Sequence, residues 1–371
     1  MLHNVLVLKR IICTVTNDLV YDQRMQRICT TLAANGFDVT LVGRKMKVSE
    51  ELVKQAFQQK RLRCIFNNGF AFYVAYNMQL FFYLLFKKAD LFYAVDLDTI
   101  LPCYFVSAIR NKKRIYDAHE LFTEQKEIVT RPAVQKFWLA IEKFAVPKFK
   151  YGYTVNNFIA TEIKQRYAVE YKIIRNLPLK DKTPNQYHLQ QEEKFILYQG
   201  AVNEGRSFET LIPALKHVDV PLKIVGKGNF FSRAKQLIAE NNLTGKIELV
   251  GFMLPQQLTL LTPKAYMGLT LFERTGLNQY YSLSNRFFDY IMAGIPQVCV
   301  NYPEYKIIND EYNIALMIDE TSEATIGAAI NKLLHNKTLY EQLRLNCVKA
   351  KEVLNWQEEE KKLVAFFKAL F

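Results

Sequence analysis

Polar residues able to do chemistry gather in this chain where apolar, strand-like runs end. Thr16-Asn17-Asp18 follows the run at 10–15, with Asp22-Gln23-Arg24 opening the next helical stretch. Asp96-Leu97-Asp98 follows the run at 91–95, and Asp117-Ala118-His119-Glu120 closes the one at 114–117. His119 is the one histidine of five in such a cluster. Beside carboxylates it can orient or deprotonate a hydroxyl, or simply be a structural residue. The second half differs: GAVNEGR from Gly200 to Arg206, Gly226-Lys227-Gly228 and Gly251-Phe252-Met253 are glycine-rich turns with positive charge. Such loops bring backbone N–H groups and a cation to phosphate.

Residues 281–298, YSLSNRFFDYIMAGIPQV, are the most informative segment. Ser284 and Asn285 suit a helix N-cap, Phe287, Phe288, Ile291 and Met292 form an apolar stripe, and Gly294 with Pro296 ends the helix. The first turn of a helix leaves N–H groups unpaired, which favours phosphate there. Asp289, a turn further on, can accept hydrogen bonds from an adjoining ribose.

These clusters need elements to hold them. Strand-like and helical stretches alternate, which predicts parallel sheets wrapped by helices. The polar run 180–193 breaks the rhythm and reads as a linker. The expected organisation is an α/β chain of two Rossmann-like domains, 1–179 and 194–355, facing one another across a cleft. The helix 356–371 is expected to cross back onto the first domain. In parallel sheets ligands bind beyond the carboxyl ends of strands, where the polar clusters lie.

The net charge is +13. Residues 1–180 hold 28 Lys and Arg against 15 Asp and Glu, and the remainder holds 21 of each, so the excess lies wholly in the first half. An anionic partner such as a phospholipid surface or a lipid diphosphate would account for that asymmetry. Nucleic acid is the weaker reading, since no basic run exceeds three residues and no binding motif is present. Six scattered cysteines without metal-ligand spacing fit reduced thiols in a cytosol, and no metal site is expected. No signal peptide is read at the start. The apolar segment 69–86 reads first as a buried helix of the domain, then as a membrane-docking helix, then as a span.

With these motifs in view, the layout resembles the GT-B glycosyltransferases, and the motifs are similar to those of glycosyltransferase family 4, bacterial surface-polysaccharide type. The resemblance is carried by NDLVYDQRMQRICTTLAANGFDVTLVGR, VDLDT, YDAHELFTE and RNLP in the first half. In the second it is carried by YQGAVNEGRSFETLI, IVGKGN, VGFM and SLSNRFFDYIMAGIP. It implies retaining, metal-independent transfer of a sugar from a nucleoside-diphosphate donor, without a cofactor, to a glycan or polyprenyl-diphosphate-linked acceptor. The implied setting is the inner face of a membrane, with the enzyme cytoplasmic and peripheral.

Under that resemblance Asp289 holds the donor ribose, the Ser284 and Asn285 amides meet the diphosphate, and Arg206 stabilises the leaving group. Gly200 and Lys227 join the donor site, and Phe252 and Met253 meet the base. His119 lies near the transferred sugar, with Asp18, Arg24, Asp98 and Glu120 on the acceptor side. Four departures stand out, one being that the second acid, Asp289, is Asp rather than Glu. Tyr281 replaces the first of the paired acids, with Glu273 further upstream; Ala201 replaces a common arginine; and Thr16-Asn17-Asp18 replaces a pair of glycines. A GT-B-like sugar-nucleotide epimerase and a non-catalytic binding module therefore remain alternatives.

Overall fold

The computed structural model describes residues 8–47, 49–180 and 194–371. The chain forms two compact units, residues 1–176 with 360–371, and residues 177–359. The expected linker falls almost wholly at 181–193, outside the described residues.

The first unit is a seven-stranded parallel sheet: β1 (Lys9–Thr14), β2 (Phe37–Lys45), β3 (Gln58–Arg63), β4 (Leu91–Val95), β5 (Lys113–Ala118), β6 (Tyr151–Thr154) and β7 (Lys172–Ile173). Their order is β3-β2-β1-β4-β5-β6-β7. The second has β8 (Ile196–Gln199), β9 (Leu222–Val225), β10 (Ile247–Gly251), β11 (Met267–Thr270), β12 (Gln297–Val300) and β13 (Ala315–Ile318). Their order, β10-β9-β8-β11-β12-β13, repeats the doubly wound pattern. Strand order reverses between β1 and β4 and between β8 and β11, and at such a point adjacent loops part to leave room for a ligand.

Central strands are buried along their whole length, as β4 and β12 show, which is why they read as unbroken apolar runs. β3 departs from the sequence expectation. Its residues, QQKRLR, have one buried position because it lies at the sheet edge, paired only to β2. The helix Gly69–Phe86 departs too. It exists, but only Phe72, Tyr76, Leu80 and Leu84 are buried, so it is not the buried helix its composition suggests. Four residues at fourfold spacing suffice to dock one stripe.

Beneath the first sheet's strand ends, Arg24 donates to both Asp117 oxygens at 2.6 and 2.7 Å. The Tyr93 hydroxyl donates to Asp117 at 2.5 Å and bonds the Tyr153 hydroxyl. Asp117, Tyr93 and Tyr153 are fully buried. The C-terminal segment seals this region: Phe366 packs edge-on to Tyr153, Phe367 lies against Tyr93 and Phe37, and Thr31 donates to Glu360. Removing one member of a buried pair leaves an uncompensated charge. Arg24→Met is expected to cost about 3–5 kcal/mol, against about 1 kcal/mol for Tyr153→Phe, measured by denaturant unfolding.

Candidate functional site

In the first unit, a cavity of about 490 Å³ opens at the β1/β4 switch point. Thr16 and Asn17 from the loop after β1, Asp96 and Asp98 after β4, and His119 and Glu120 after β5 line its polar side. Tyr73, from the helix Gly69–Phe86, and Trp138, from the helix Pro132–Ala145, help line the apolar side. Their rings meet edge to face at 5.1 Å. A cavity with one apolar wall and one acid-rich wall suits a molecule presenting hydroxyls over a carbon skeleton.

Asp96 sits at φ 54°, a left-handed conformation that costs energy for a residue with a Cβ. Its amide is held by the Asp117 carbonyl at 3.0 Å, and its carboxylate meets His119 Nδ1 at 3.0 Å. Burial alone would lower the His119 pKa, but the Asp96 charge and contact outweigh it and raise it to about 9. Asp98 is pushed up to about 7 by burial and by the Asp96 charge, against the hydrogen bond from Thr16. Donor atoms of Asp96, His119 and Glu120 lie within 4.8 Å of one another, a spacing able to hold a metal ion. The tight His119–Asp96 contact gives the same trio an ion-pair role without one.

The four acceptor-side residues divide. Asp98 and Glu120 line the cavity. Asp18 does not: it is 4% exposed and bonds the Val20 amide, Ser49 and Arg61. Arg24 is held by Asp117. Both are turned into the domain, Asp18 from the loop after β1 and Arg24 from the first turn of the helix Gln23–Ala34. Asn17, in the strand-end cluster after β1, does line the cavity, whereas Tyr73 and Trp138 were missed: the aromatics lie on helices whose rotation only packing settles.

In the second unit the loops after β8, β9 and β10 converge through glycine. Gly200, Gly205, Gly226 and Gly251 all have positive φ. A Cβ on Gly226 would lie 1.8 Å from the Gly200 carbonyl oxygen, so only glycine lets these loops meet. Arg206 is half-buried, its guanidinium 4.3 Å from the Phe272 ring centre. Lys227 and Phe252 are exposed, and Met253 packs on the small apolar cluster beneath the adjacent loop.

The helix Asn285–Ala293 begins after Ser284 and ends at left-handed Gly294. The Ser284 amide accepts no ligand role unaided, since it donates to the Tyr305 hydroxyl at 2.9 Å. Its side chain makes no capping bond. Asp289 is half-buried and takes a 2.9 Å bond from Gln199, whose other amide atom is held by Thr262. Tyr281 closes the short helix Leu277–Tyr280, and its ring stands 5.3 Å from Tyr280. Sequence reasoning also passed over Arg286, in the first turn of the helix and 6% exposed.

No curated protein sequence matches the chain. Residues 180–351 match the family model of Glycosyl transferases group 1. Among solved structures, sucrose-phosphate synthase from Thermosynechococcus elongatus superposes with a TM-score of 0.79 at 16% identity, covering 98% of this chain and 99% of that one. Anabaena HepE in complex with UDP and glucose gives 0.76 at 11%, over 97% and 100%. WaaG, a glycosyltransferase involved in lipopolysaccharide biosynthesis, gives 0.71 at 14%, over 96% and 98%. At such identities these likenesses establish the fold. The fold is the two-domain GT-B architecture of these structures, and the family match is confined to the second unit. The matched segment, 180–351, is nearly the whole second unit.

With Asp98 near 7 and His119 near 9, the ionised carboxylate and the charged imidazolium coexist between those values. Turnover on subsaturating acceptor is expected to rise with pH through about 7 and fall through about 9. Asp98→Asn should remove the acid limb and His119→Gln the alkaline one, read from pH–rate profiles of kcat/KM.

Proposed function

We propose that the protein transfers a sugar from a nucleoside-diphosphate donor held by the second unit to an acceptor held by the first. The glycine-lined strand ends around Arg206, within the segment matching glycosyl transferases group 1, carry this reading. The bond from the anomeric carbon to the diphosphate breaks, its electron pair leaving with the nucleoside diphosphate. An acceptor hydroxyl oxygen forms the new bond, and its proton passes to the departing diphosphate. Fixed positive charge at Arg206 stabilises that leaving group, which supports a metal-independent reaction. Retention of configuration is proposed on the family 4 resemblance. Because HepE is described with UDP and glucose, UDP is the first donor nucleotide to try.

A glycan or polyprenyl-diphosphate acceptor and a peripheral site at the cytoplasmic membrane face complete the proposal, in surface-polysaccharide synthesis. Phe70, Val74, Met78, Phe82 and Phe86 form an exposed stripe at fourfold spacing along Gly69–Phe86. Phe70 meets Phe137 at 5.4 Å, and Phe105 meets Phe144 at 6.2 Å, extending the apolar surface over two more helices. Lys87, Lys88, Lys136 and Lys143 are exposed on the same elements or at their ends. Arg61, on the edge strand β3, is instead tucked against Asp18. Apolar side chains ringed by lysines fit an anionic lipid surface.

Calorimetric titration without metal should show selective binding of one nucleoside diphosphate, weakened about tenfold or more by Asp289→Ala. Binding of none would leave the non-catalytic reading, and product analysis separates transfer from epimerisation. In liposome sedimentation, Lys87→Glu with Lys88→Glu should cost about 2 kcal/mol of binding to anionic vesicles. Unchanged sedimentation would remove the membrane from the proposal.

A further inference from the structure

Among the described residues, Arg286 is a buried guanidinium without a carboxylate counter-ion. It is 6% exposed, its Nη1 has no hydrogen-bond partner, and the charged or polar groups acting on it are tyrosines, Tyr198 first, rather than acids. Burying an unneutralised cation is costly, so a protein that does so has a use for the charge. Its surroundings are aromatic rather than acidic: the guanidinium carbon lies 4.3 Å from the Tyr198 ring centre and 5.1 Å from that of Phe272. Such faces hold a cation in place while leaving its charge available.

Position decides what that charge is for. Tyr198 belongs to β8, Phe272 follows β11, and the β8/β11 gap is the switch point of this sheet. Gly200, the first residue beyond β8, has φ 123°, and a Cβ there would stand 3.7 Å from the Arg286 guanidinium carbon. Arg206 reaches the same Phe272 ring from the loop after β8. Two guanidinium groups thus converge on one ring at the point where a ligand enters the sheet. Ser284 Oγ, at the start of the same helix, is buried and also lacks a partner.

We propose that Arg286 is a second cation of the donor-diphosphate site, supplying from the helix Asn285–Ala293 the charge that Ala201 does not provide on the loop. The inference rests on the donor reading above. Arg206 and Arg286 together would balance the negative charge of a bound diphosphate, and neither alone would. The occupant is accordingly a nucleoside diphosphate and not a nucleoside or a monophosphate.

The experiment is calorimetry on the full chain with the nucleoside diphosphate that wild type binds and with the matching monophosphate. Arg286→Met is expected to weaken the diphosphate about 10- to 100-fold and the monophosphate much less. Arg286→Lys, which keeps the charge but loses the fork, should fall between and guards against a Met variant that does not fold. Adding Ala201→Arg to Arg286→Met should recover binding, a result that a packing role would not give. Diphosphate affinity equal to wild type in a folded Arg286→Met or Arg286→Lys protein overturns the inference and leaves the donor reading standing. Equal losses for diphosphate and monophosphate also overturn it. Wild type binding no nucleoside diphosphate overturns both.

Discussion

A parallel sheet whose strands are buried on both faces meets water only at its ends, and that constraint organises each unit of this protein. β4 and β12 have no exposed position, so chemistry along them is excluded. Polar groups are pushed into the loops beyond the strands, and the reversal of strand order opens a gap between two of those loops. Every residue given a chemical role here, apart from the aromatic walls, stands within a few residues of such an end or at the start of the helix facing it.

The two units use this geometry with opposite charge. In the first, Asp96, Asp98 and Glu120 surround His119; burial and the Asp96 charge raise the Asp98 proton affinity, and attraction to Asp96 raises that of His119 against the effect of burial. In the second, the switch point carries guanidinium groups against aromatic rings. An acid-rich cavity suits hydroxyls, and a cationic one suits phosphate. The proposed division of labour between acceptor and donor thus rests on an electrostatic property of each sheet taken alone.

Arginine and aspartate also show how position changes meaning. Arg24 and Asp117 satisfy one another beneath β5 and hold the floor on which His119 stands. Arg286 has no such partner, although it is equally buried. In sequence the two arginines look alike, each in the first turn of a helix; the difference is whether a carboxylate lies within reach.

The sequence by itself determined the doubly wound class, most of the strands, the breaks between them, the strand-end positions of His119, Asp98, Gly200 and Arg206 and the helical position of Asp289, because buried strands, apolar stripes and glycine turns leave local marks. It also carried the resemblance to the glycosyltransferases through those same segments. It could not mark β3, whose polar residues sit at an edge and need no apolar pattern. It misjudged the helix Gly69–Phe86, since composition reports hydrophobicity but not which stripe the domain covers. Tertiary structure alone decided that Asp18, Arg24 and Arg61 pair internally while Arg286 meets no carboxylate among the described residues. Whether a charge is neutralised depends on residues tens of positions away, and only folding brings those within a few ångströms.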